Sequence, residues 1–87
     1  MELDKLRKEI DQIDEKIVRL LAERNDCVAR VGEYKKANGL KIFQPDREII
    51  VLDAKKDLAK KVGVSQTLIE KIYKLIMKDS RRIQKGK

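Results

Sequence analysis

Arg24 and Lys35 can hold an anion between them. They lie eleven residues apart in the sequence, about three helical turns, so on one helix they share a face at ~16 Å separation and can close on a small ligand from both ends. Arg24 belongs to a row formed by Leu3, Leu6, Ile10, Ile13, Ile17, Leu20, Arg24, Cys27, Val31 and Tyr34, whose spacings alternate between three and four. The other members are apolar or mostly so, which marks the seam of one long helix. A guanidinium on a face that buries is costly unless an anion or carboxylate meets it. Lys35 continues a second apolar row through Val18, Leu21 and Val28; standing near the end of the helix, it would equally serve as a partner for the helix dipole. Arg7 lies seventeen residues before Arg24, ~26 Å away and turned by roughly 100°. It cannot reach the same ligand from the same chain. In an antiparallel pair of such helices, however, Arg7 of one copy approaches Arg24 of the other.

Three more polar groups stand where helix physics does not ask for them. Arg47 falls at the start of a second helix, where a cation opposes the dipole; either a local anion is present or the side chain points into water. The apolar row Ile69, Ile72, Ile76 of a third helix, extended by fours, arrives at Ser80 and then Gln84. Polar groups thus replace apolar ones on the inward side of its last two turns. Structural alternatives exist for both, Ser80 bonding back to the carbonyl of Ile76 and Gln84 fraying into solvent.

Composition narrows the chemistry. The chain has no His and one Cys, and that cysteine, on the seam, reads as a small buried apolar residue. The usual nucleophile, metal and near-neutral acid/base constellations cannot be assembled from this set. An enzyme built from it acts by positioning and electrostatics, with no cofactor and no metal. Charged residues make up 43% of the chain and the net charge is +7, which favours an anionic partner. A basic helical module for nucleic acid or for a protein partner is the alternative from another class. Against it, the basic residues are dispersed among acids and no recognition helix stands out. No run approaches the ~20 apolar residues that span a bilayer, and no signal-like segment opens the chain; a soluble, cytoplasmic protein is expected.

The elements that must position these residues are three helices in one small domain over residues 1–84. The first begins near Leu3 and ends at Asn38-Gly39. Pro45 opens the second, with Asp46 and Glu48 in its first turn, and Gly63 stops it. Ile49, Ile50, Leu52, Leu58 and Val62 are expected on its buried side. Ser65 caps the third, with Val64 and Ile69 as a hydrophobic staple, and residues 85–87 are expected to form a disordered tail. By rise per residue the first helix is ~54 Å long against ~27 and ~30 Å for the other two. A hairpin of the short helices covers half of the long one. The rest of its seam needs a second copy, so the expected fold is all-α, an intertwined helical homodimer with the long helices paired.

The chain resembles the all-helical, stand-alone chorismate mutases over essentially its full length. The resemblance rests on Leu6-Arg7 followed by Ile10, Ile13 and Asp14; on Leu21-Ala22-Glu23-Arg24; on Val31-Gly32 with Lys35; on Pro45-Asp46-Arg47-Glu48; and on Asp79-Ser80 with Gln84. Their joint order and spacing carry it. It implies an intertwined dimer of three-helix chains whose sites bind chorismate and rearrange it to prephenate. Arg24 and Arg47 of one subunit, with Arg7 of the partner subunit, would then hold the two carboxylates, where planar forks match planar anions. Lys35 and Gln84 would donate to the ether oxygen, on which charge grows as its C–O bond breaks; Glu48 and Ser80 would address the ring hydroxyl. A pericyclic rearrangement needs no acid, base or nucleophile. One departure stands out, since family members commonly carry an acidic residue where this chain has Gln44. Gln44 can still hydrogen-bond near the hydroxyl end of the ligand, but without a negative charge. Isochorismate pyruvate lyase, a sister activity on an isomer that differs in where the hydroxyl sits, is the second expectation.

Overall fold

Gly39 and Gly63 set the two reversals of the chain, each with a left-handed backbone (φ 65° and 77°) that costs a residue with a Cβ and costs glycine nothing. The computed structural model describes residues 1–86 and contains α1 (Glu2–Ala37), α2 (Pro45–Val62) and α3 (Gln66–Lys85). Beyond α1, the N–H of Leu40 returns to the Lys35 carbonyl at 2.8 Å, and that of Val64 returns to Ala59 at 2.8 Å beyond α2. Pro45 takes the first turn of α2, where its missing N–H has no partner to lose. The Ser65 hydroxyl accepts the Leu68 N–H at 3.1 Å and caps α3. Of the tail expected over 85–87, Lys85 is instead the last residue of α3 and Gly86 its cap, donating to the Ile83 carbonyl; Lys87 lies outside the described residues.

α3 packs against both other helices, whereas α1 and α2 do not pack directly on one another among the described residues. The molecule is accordingly long and thin, 57 × 26 × 15 Å. Among the described residues, burial is confined to small or adaptable groups where helices cross: Gly32 of α1, Ala59 of α2, Met77 and Ser80 of α3. Lys56 of α2 donates to the Glu70 carboxylate of α3 at 3.0 Å, and this bond, helped by Lys74, holds the Glu70 carboxyl below its ordinary range.

The single chain buries a different face of α1 from the main seam. The half-buried positions are Leu21, Arg24, Asn25, Val28 and Lys35; Leu21 and Val28 belong to the second apolar row, whose Val18 stays 65% exposed. Leu3, Leu6, Ile10, Ile13, Ile17 and Leu20 are each 45–62% exposed. Cys27 is exposed as well, contrary to the expectation from its place on the seam; it accepts from Arg30 at 3.2 Å. The buried side of α2 also differs from the expectation. Ile49, Ile50, Leu58 and Val62 stay exposed, because α2 meets α3 alone; Leu52 turns inward as expected, together with Lys56 and Ala59.

α1 and α3 cross closely at Gly32. A Cβ there would stand 2.7 Å from the Gln84 Cα and 2.8 Å from its carbonyl oxygen, so backbone would have to move. Gly32→Ala should therefore destabilise the fold by roughly 1–3 kcal/mol, the scale of overpacking, and shift Gln84. Thermal unfolding reads this directly. An unchanged midpoint would mean that α3 slides freely along α1.

Candidate active site

A cavity of about 340 Å³ opens between the C-terminal half of α1, the start of α2 and the end of α3. Its apolar floor comes from Val28, Val31, Ile42, Val51 and Met77. Among its polar walls are Arg24 and Lys35 of α1, Arg47 and Glu48 of α2, and Ser80 and Gln84 of α3; Gln44, the N-cap of α2, completes them. The volume lies at the small-metabolite end of the usual range for ligand pockets.

Local sequence explains each placement. Arg24, Val28, Val31 and Lys35 fall on one α1 face at spacings of three and four, so the cavity wall is a helix stripe with a cation at either end. Ser80 and Gln84 are one turn apart on the inward face of α3. The Arg24 guanidinium donates to the Ser80 hydroxyl at 2.6 Å, and that hydroxyl donates in turn to the Ile76 carbonyl at 2.8 Å. The structural role foreseen for Ser80 is real, and the same hydroxyl meets Arg24 on the cavity wall. Gln84 does not fray: it is half-buried, and its side-chain oxygen accepts from Lys35 Nζ at 2.6 Å. The Lys35 ammonium also donates to the Ile42 carbonyl at 2.9 Å, so a cross-helix bond and a loop bond fix it where the dipole alone would leave it free. With its oxygen engaged, the Gln84 amide has its N–H₂ group left to donate.

Charge in the cavity is lopsided. Arg24, Lys35 and Arg47 line it against one carboxylate, Glu48, and Glu48 is paired with Arg81 at 2.6 and 2.5 Å. A second hollow of about 430 Å³ adjoins, sharing Arg24, Arg47 and Val51 and adding Lys55 and Tyr73. Cations standing together in a low-dielectric cleft attract dianions strongly. Arg7 lines neither hollow. Elsewhere on α3, Arg82 donates to Asp79 at 2.7 Å, and this bond lowers the Asp79 carboxyl and raises the Arg82 guanidinium. Both lie outside the cavity. Among the described residues no group of three or more His, Cys, Asp or Glu side chains is placed to hold a metal ion, and no helix is long and apolar enough to cross a membrane.

Sequence reasoning missed Arg81, Phe43, Ile42 and Val51. Arg81 is part of an Arg81-Arg82 pair on a charge-rich helix, and nothing local distinguishes the one that reaches α2 from the one that stays on α3.

A three-helix chain with arginines, a lysine and a glutamine amide gathered over an apolar floor is one way to grip a small dianion by charge and shape. The chorismate mutase type II family model matches residues 6–85, and the chain belongs to that family. The chorismate mutase of Methanocaldococcus jannaschii is 36% identical over 83 residues, which are 95% of this chain and 84% of that protein. The T-protein of Haemophilus influenzae is 41% identical over 78 residues; these are 90% of this chain and 21% of the T-protein, so the chain spans about a fifth of that relative's length. The 4-amino-4-deoxychorismate mutase of Streptomyces venezuelae is 28% identical over 83 residues, 95% of this chain and 81% of that protein.

Proposed function

We propose that this chain is a chorismate mutase that rearranges chorismate to prephenate by holding the substrate in a reactive conformation and stabilising the charge that develops on its ether oxygen. The observation that carries the reading is the convergence of Arg24, Lys35, Arg47, Ser80 and Gln84 on one cavity that offers no His or Cys for other chemistry. Arg24 and Arg47 bind the substrate carboxylates. Lys35 and the Gln84 N–H₂ donate to the ether oxygen, where hydrogen bonds strengthen as the C–O bond lengthens. Glu48, Ser80 and Gln44 stand at the ring hydroxyl. No proton needs to move, so the protein supplies preorganisation alone.

The same reading completes the site with a second copy. Leu3, Leu6, Ile10, Ile13, Ile17 and Leu20 form an exposed apolar row along α1, of a kind that soluble chains cover by association. Antiparallel pairing along this row brings Arg7 of the partner subunit towards Arg24 and closes an intertwined homodimer.

Isochorismate pyruvate lyase is the second reading, favoured by Gln44, which leaves Glu48 as the cavity's single acid. Purified protein given chorismate or isochorismate decides between them: prephenate supports the mutase and pyruvate the lyase, while neither product from either compound would remove both.

The Gln84 role has its own test. In a Gln84→Glu variant only the protonated carboxyl can donate to the ether oxygen. Activity should then rise about tenfold per pH unit as pH falls, until the carboxyl is mostly protonated. Lys35 at 2.6 Å from the present side-chain oxygen would stabilise the carboxylate and push that limb further into acid. A pH-independent, undiminished turnover would remove Gln84 from the reaction.

A further inference from the structure

Arg81 follows Ser80 directly but does not line the cavity. Its Nη1 donates to both oxygens of Glu48, at 2.6 and 2.5 Å, and its guanidinium carbon stands 5.0 Å from the centre of the Phe43 ring in the α1–α2 connection. The two charged side chains are 30% and 25% exposed. A partly buried pair held by hydrogen bonds to both oxygens and by a cation–π contact is an ordered one.

This pair decides what charge the cavity offers a ring substituent. Glu48 is the single carboxylate among the lining residues, and Gln44 beside it is neutral. Since Arg81 already balances Glu48, that end of the site presents no free negative charge. A ring hydroxyl can still donate, because each carboxylate oxygen keeps a lone pair beyond the one Arg81 engages. A ring ammonium is in a different position. It would need an uncompensated carboxylate, and it would meet instead the field of Arg24, Lys35 and Arg47 with Arg81 close behind Glu48.

We propose that Arg81 sets substrate specificity: by pairing with Glu48 it makes the site accept a ring hydroxyl and reject a ring ammonium. This rests on the placement of Glu48 at the ring hydroxyl made under the proposed function. Arg81 acts through Glu48 and touches no reacting atom.

The test compares kcat/KM for chorismate and for its ring-amine analogue, 4-amino-4-deoxychorismate, in the wild-type chain and in Arg81→Met, Arg81→Lys, Glu48→Gln and the Arg81→Met/Glu48→Gln double variant. Wild type should prefer the hydroxyl compound. Arg81→Met, which keeps much of the side chain's bulk and removes the charge, should move the ratio towards the amine by on the order of tenfold. Arg81→Lys should hold it near the wild-type ratio, and the double variant should lose the gain, because no carboxylate remains to be freed. A loss of packing alone would lower both substrates together and leave the ratio in place. If Arg81→Met does not give a helical circular dichroism spectrum, Arg81→Gln replaces it in the same comparison. An unchanged ratio in the neutral variant, or a wild type that takes both substrates equally, would overturn the role of Arg81 while leaving the mutase reading intact. Absence of chorismate turnover in wild type would remove both.

Discussion

Replacing Arg24 by Met should leave the helices folded and lower turnover at least ~100-fold, the scale on which one preorganised charge contact acts in a water-poor site. Its hydrogen-bond partner is the Ser80 hydroxyl, which retains the Ile76 carbonyl after the substitution, so no buried polar group is orphaned. A methionine on this half-buried stretch of α1 also avoids the cost of desolvating a guanidinium. Stability and activity should therefore separate: an unfolding midpoint at or above wild type, with kcat/KM collapsed. If Arg24 were merely structural, the two would fall together. Full activity in the Met variant would take Arg24 out of carboxylate binding.

Co-refolding two inactive variants tests the shared site. If each site combines Arg24 of one chain with Arg7 of the other, Arg7→Ala and Arg24→Ala homodimers are both nearly inactive. A mixed dimer then contains one site in which both arginines survive and one in which both are lost. With random pairing half of the dimers are mixed and half of their sites are intact, so activity should return to about a quarter of wild type. In an unshared site each chain carries its own defect into every assembly. A mixture no more active than its parents would refute the contribution of Arg7 across subunits and the antiparallel pairing of the long helices.

The helix ends were legible because they depend on neighbours in sequence. Gly39, Pro45, Gly63 and Ser65 act through φ, a missing N–H or a hydroxyl three residues from its donor, and each sits where it was expected. Helical phase likewise placed Arg24, Lys35, Ser80 and Gln84 on inward faces. Phase does not say which chain an apolar face meets. Cys27, Ile49, Ile50, Leu58 and Val62 are apolar at helical spacing, yet all are exposed in the single chain. The ion pair of Arg81 with Glu48 joins residues 33 apart and depends on the register of α2 against α3, which no local pattern encodes. The same holds for Gly32, whose need to be small comes from the backbone of Gln84 crossing it.

Every residue from Met1 to Leu20 is exposed in the single chain, and in the proposed dimer this would tie the kinetics of maturation to concentration. Most of a helix's stability in a protein comes from packing its amphipathic face, so the order of this stretch would be borrowed from whatever covers its apolar row. Where that cover is a second copy, completing α1 becomes a bimolecular step. Refolding would slow as chains are diluted, and the half of α1 that carries Arg7 would exchange its amide hydrogens sooner than the half that carries Arg24. Catalytic competence would then be acquired at the rate at which two chains meet.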